Sequence, residues 1–183
     1  MAEDDLSEIR SAVRALCARY PGEYWRGLEP NTYPAAFVEE LTRAGWLAAL
    51  IPEDYGGAGL SLTAASVVLE EINRSGGNSG ACHAQMYVMG TILRFGTQAQ
   101  KERYLPPIAR GELRLQAFAV TEPTAGSDTA SITTTATKID GGYRIRGQKL
   151  WTSRAEHSEL MLLLARTTPL DEVQKRTDGL STF

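Results

Sequence analysis

Across the first 110 or so residues, apolar positions recur at three- and four-residue spacing, the period of a helix with one buried face. Leu6, Ile9, Val13, Leu16, Cys17 and Tyr20 form the first such stripe, and Pro21-Gly22 ends it. A second helix is predicted from Pro34, a favoured first-turn residue, through Phe37, Leu41 and Ala44 to Gly45. A third starts at Ser61, whose hydroxyl can cap it, and buries Ala65, Val68, Leu69 and Ile72 before "SGGNSG" stops it. A fourth runs from about Ala81 to Phe95. A fifth opens on the capping-box pair Thr97 and Gln100 and is expected to be interrupted by Pro106-Pro107.

Beyond Gly111 the period changes from helical to alternating. "RLQAFAVT" is β-prone, "SITTTATKI" is β-branched, "GYRIRGQKLW" alternates apolar with basic residues, and "ELMLLLART" reads as a more buried strand. Asp140-Gly141-Gly142 suits a hairpin turn between the second and third of these. The pattern therefore predicts an α+β chain. An all-α domain over residues 1–112 precedes an incomplete antiparallel, barrel-like β domain over residues 113–183. "RTDGLSTF" closes the chain on a β-like run with nothing evident to pair it, so truncation of the β domain is expected.

Composition narrows the function. The chain has 183 residues, 43% hydrophobic and 22% charged, with a net charge of -3 and mixed signs. That balance offers no concentrated basic face for nucleic acid. The apolar run "LMLLLA" from Leu160 is far shorter than the roughly 20 residues of a membrane span. "MAEDDLSEIR" is unlike a secretory signal, so a cytoplasmic location is the default expectation. Cys17 and Cys82 are too isolated for a disulfide framework and read as buried thiols. His83 and His157 lack companions at metal-ligand spacing, so no metal is expected.

The chemistry concentrates in "AFAVTEPTAGSDTAS", residues 117–131. Gly126 allows backbone N–H groups to approach a ligand, Thr121 and Ser127 add hydroxyls, and successive N–H groups can form an anion nest. Taken alone, a capped turn between two strands explains the stretch better. There is no P-loop and no GxGxxG fingerprint.

The wider pattern adds more. "AVTEPTAGSDTAS" resembles the signature of the acyl-CoA dehydrogenase family: a small residue, an aliphatic, Thr, Glu, two free positions, then small-Gly-Ser-Asp and a further small residue at Ser131. "IPEDYGGAGLS", "FGTQAQKERYLPPIARGEL", "IRGQKLWTS" and "LLLART" are similar to family segments in the same order. The resemblance spans nearly the whole chain.

It implies an FAD-dependent oxidoreductase of fatty acid metabolism. Such an enzyme takes an acyl-CoA to its trans-2-enoyl-CoA by α-proton abstraction and β-hydride transfer to flavin N5. Phe118, Ala119, Val120, Thr121, Gly126 and Ser127 would lie along FAD, with Thr121 at the pyrimidine edge and Ser127 near the pyrophosphate or the acyl-CoA. Trp151, Thr152 and Ser153 match a second flavin segment, usually Trp-Ile-Thr. Here Ser153 lacks the methyl that stiffens Thr.

The resemblance also implies an electron-transfer flavoprotein as partner, a homodimer or homotetramer, and a base on a C-terminal helical bundle that this sequence lacks. Glu122 is expected to be structural, and Glu70 and Glu71 to be solvated or paired along their own helix. Two other readings stand beside the main one. The chain is a non-catalytic FAD- or acyl-CoA-binding piece that needs a partner chain, or it is a same-fold flavin monooxygenase.

Overall fold

The computed structural model describes residues 3–183, which fall into two compact units divided between Gln116 and Ala117. The boundary lies four residues after the expected division between residues 112 and 113. Gln116 is the reason: its side chain is buried with the helices, accepting from the Tyr33 hydroxyl at 2.8 Å and donating to Gln85 at 3.3 Å.

The first unit is helical: α1 (Glu3–Cys17), α2 (Gly22–Gly27), α3 (Ala35–Arg43), α4 (Leu62–Arg74), α5 (Gly80–Phe95) and α6 (Gln98–Ala109). The apolar stripes face one core, in which Val13, Val38, Leu41, Val68 and Ile72 are fully buried. Local signals mark the starts of the helices. Ser61 Oγ accepts from Ala64 N at 3.2 Å, and Thr97 with Gln100 forms the reciprocal capping box of α6.

Two expectations fail here. Pro106 and Pro107 do not interrupt α6, because Leu105 and Ile108, both fully buried, anchor its last turn in the core. Glu71 is neither solvated nor paired within its helix. It is buried, and it accepts from Arg10 at 2.6 Å and from Arg14 at 2.5 and 2.9 Å, both on α1. Those bonds, Arg14 first, outweigh the burial that opposes ionisation and hold its carboxyl at about 2.

The second unit is a sheet of β1 (Ala117–Ala119), β2 (Thr135–Ile139), β3 (Gly142–Arg146), β4 (Met161–Arg166) and β5 (Leu180–Thr182). The helical-then-sheet order is as predicted, but the sheet is mixed and unclosed among the described residues. β2–β3 and β4–β5 are antiparallel, whereas β1 and β2 both pair parallel with β4. Alternation in sequence carries no strand direction. The β2–β3 hairpin supplies the long crossover that a parallel β1–β4 pair needs.

"GLSTF" does have a partner: β5 pairs with β4, and Phe183 exchanges two 2.8 Å backbone bonds with Leu163. β3 lies at the sheet edge and is exposed on both faces, including Tyr143 and Ile145.

Candidate functional site

The loop that follows β1 is shaped by Glu122, which is 4% exposed. Its backbone exchanges hydrogen bonds with Ala125, closing the Glu-Pro-Thr-Ala turn. Its carboxylate accepts from Thr133 N (2.6 Å), Thr133 Oγ1 (2.8 Å), Thr134 N (2.9 Å) and Lys149 Nζ (2.8 Å). Burial alone would push this carboxyl up. Lys149 and the Thr133–Thr134 donors outweigh it and bring it down to about 2.

The Lys149 side chain is only 9% exposed and also donates to Val120 O at 2.8 Å, while Leu150 N–H donates to Thr121 O at 2.8 Å. Residues 120–122 are thus joined to residues 149–150 by consecutive bonds. The two segments that the sequence suggests as one site are brought together there.

Each suggested residue has a definite place. Phe118 and Ala119 lie in β1, half-buried and buried. Val120 and Thr121 are half-buried, and their carbonyls are occupied by Lys149 and Leu150. Gly126 is exposed, and a Cβ built on it would meet nothing within 4 Å; Ser127 beside it is exposed. Trp151 and Ser153 are exposed and Thr152 is half-buried.

Trp151 is 86% exposed with φ +57°, a conformation that L side chains rarely adopt. Its ring is therefore not packed in the β core. Strain together with full display of an indole is a common mark of a functional position.

The far side of the loop is braced separately. Thr129 Oγ1 donates to Gly126 O at 3.3 Å, Ser131 Oγ to Asp128 O at 2.8 Å, and Arg176 to Asp128 at 2.7 Å. Buried Arg166 reaches the carbonyls of Ala130 (2.7 Å), Asp178 (3.1 Å) and Arg176 (3.2 Å). Arg166 and Lys149 are the site-supporting residues that the sequence does not reveal. The only hint is for Arg166, a lone cation at the end of an otherwise apolar strand run.

The helical unit contributes an apolar cavity of about 390 Å³ between α4 and α5, lined by Leu62, Leu69, Met86 and Tyr87 with His83. Met86 therefore both packs and lines, while Met89 is fully buried core. Cys17 and Cys82 are buried free thiols. Among the described residues no His, Cys, Asp or Glu group could hold a metal, and no helix is long and apolar enough to cross a membrane.

Comparisons with known proteins agree with this architecture. The family profile described as "Acyl-CoA dehydrogenase, N-terminal domain" matches residues 3–112, and that of "Acyl-CoA dehydrogenase, middle domain" matches residues 117–183. Acyl-CoA dehydrogenase FadE12 of Mycobacterium tuberculosis is 34% identical over 166 residues, 90% of this chain and 42% of that protein. Benzylmalonyl-CoA dehydrogenase of Aromatoleum aromaticum is 35% identical over 88% of this chain and 45% of its own length. The crystal structure of an acyl-CoA dehydrogenase from Geobacillus kaustophilus superposes with a TM-score of 0.87 at 30% identity, covering all of this chain and 47% of that one. The chain thus spans less than half the length of these relatives.

Proposed function

The chain belongs to the acyl-CoA dehydrogenase family, and on that premise we propose that it forms the flavin-binding part of an enzyme oxidising an acyl-CoA to its trans-2-enoyl-CoA. The observation that carries the reading is the joined pair of segments, 120–122 with 149–150, flanked by exposed Ser127 and by Trp151 with its strained backbone. The residues fit FAD in three respects. Gly126 leaves space for close backbone approach, the exposed serines 127 and 153 offer hydroxyls, and the outward indole offers an aromatic wall.

Phe118, Ala119, Val120 and Thr121 are assigned to the flavin side of the loop. Gly126 and Ser127 are assigned to its pyrophosphate, with Ser127 also contacting the acyl-CoA. Trp151, Thr152 and Ser153 form the second flavin segment. When bound, FAD supplies the two-electron acceptor that no side chain provides.

A general base works best when poised near the operating pH. Glu122, held at about 2 and committed to four donors, is not that base, and no residue of 3–183 is assigned the role. In the complete enzyme, electrons would pass to an electron-transfer flavoprotein, and a homo-oligomer is the expected assembly.

Titration of the chain with FAD, read by flavin fluorescence, tests the assignment. Weak saturable binding is expected, weakened further by Thr121→Val and Ser127→Ala. Binding indifferent to both substitutions would overturn the site. Adding octanoyl- or isovaleryl-CoA to the FAD-loaded chain should leave the flavin unbleached. Bleaching would place the base within these residues.

A further inference from the structure

A buried ion pair is an unusual way to join two loops, because apolar residues of similar volume often stabilise a protein as well or better. Yet Glu122 and Lys149 have side chains only 2% and 9% exposed, and the bonds around them are arranged in sequence order. Lys149 Nζ serves Val120 O and Glu122 at once, both at 2.8 Å. The next residue, Leu150, closes on Thr121 O at 2.8 Å, and the one after it is Trp151 at φ +57°. A second left-handed residue, Arg154 at φ +61°, follows three positions later. An aromatic residue stays in that region only when its neighbours over-determine it, and on the N-terminal side those neighbours are Lys149 and Leu150.

We propose that Lys149 is a positioning residue. With Glu122 as its counter-ion, it fixes the register of residues 120–122 against 149–150 and so holds Trp151 left-handed with its indole outward. The purpose of that arrangement rests on the flavin reading above; the register itself does not.

Lysine suits the task because three donors on a flexible stem can satisfy a carbonyl and a carboxylate together. Glu122 suits it because its second oxygen takes the Thr133 donors, tying the same knot to the start of β2. A simple hydrophobic contact would leave Val120 O without its donor and would allow the segments to slide.

The test is amide hydrogen exchange by NMR, with FAD titration in parallel, on the wild-type chain, Glu122→Gln, and the double variant Glu122→Gln/Lys149→Met. The double variant removes both charges, so no buried ion is left unpaired. Its Leu150 N–H is expected to exchange about tenfold faster while the β2–β3 amides keep their rates, as for a local opening rather than global loss. FAD should bind it about tenfold more weakly, in step with that opening. Glu122→Gln, nearly isosteric, should speed Leu150 exchange to a lesser degree.

Unchanged Leu150 exchange in the double variant would overturn the proposal, as would uniform acceleration of every amide. If the double variant does not fold, Glu122→Gln decides alone, and an unmoved Leu150 amide then counts against the register role. If the wild-type chain takes up no FAD, the flavin reading falls while the exchange result still judges Lys149.

Discussion

Glu71 and Glu122 are the two carboxylates buried among the described residues, both held at about 2, yet they are built in opposite ways. Glu71 joins two helices, and its cations are side chains that keep contact with water: Arg10 is 31% and Arg14 52% exposed. Glu122 joins loops, and its partners are a lysine whose side chain is 9% exposed, the Thr133 hydroxyl and the main-chain N–H groups of Thr133 and Thr134. Where the partners can retreat into solvent, the carboxylate adds to packing that already exists. Where they cannot, it determines the conformation of the loop around it.

Removing the trapped partner should expose that contrast most sharply. Lys149→Met leaves Glu122 charged and unpaired, at a cost of about 3–5 kcal/mol. Urea unfolding should show the sheet unit losing stability while the helical transition holds.

Acid should act on both sites next. Each carboxyl is depressed in the fold below its ordinary value of about 4.3, so the stability it contributes is complete above that value and disappears as pH falls towards 2. Melting temperatures should therefore stay flat from pH 7 to about 5 and fall below that. In Glu122→Gln the sheet unit should lose much of its share of the acid slope.

Trp151→Gly should raise stability by about 1 kcal/mol, because glycine relieves φ +57° and an 86% exposed indole gives up little packing. The same variant should lose FAD affinity, which sets conformational strain against function in one titration. The smallest effect belongs to Glu71→Leu, under about 1 kcal/mol, since an apolar side chain can fill the space and both arginines can turn to water. A cost there as large as that of Lys149→Met would erase the distinction between the two sites.

The helices were legible because their signals are local. Four-residue periodicity, the Ser61 cap and the Thr97–Gln100 box each act within one turn. Glu71 could have been read as well: it sits three and four positions after buried Val68 and Val67, on the apolar face of α4.

The sheet was legible as strands but not in direction, because parallel pairing of Ala117 with Met161 is decided by residues more than 40 positions apart. The candidate site was legible only as a motif, through Thr121, Gly126, Ser127 and the Trp151 segment. Its support was not. Nothing in "GQKLW" states that Lys149 turns inward to a carbonyl 29 residues earlier, or that Trp151 adopts a backbone angle usually left to glycine.

The edge strand β3 has a consequence for the chain in concentrated solution. It displays Tyr143 and Ile145 on an unpaired border, the arrangement most prone to strand-to-strand association between copies. Arg144 and Arg146 alternate with them and act as gatekeepers, since two such borders meeting would bring like charges together. The protection is electrostatic, so it has a range of about 10 Å in 0.1 M salt and contracts to about 3 Å at 1 M. Colloidal stability of this chain should therefore depend on ionic strength through two arginines that are exposed on the edge strand.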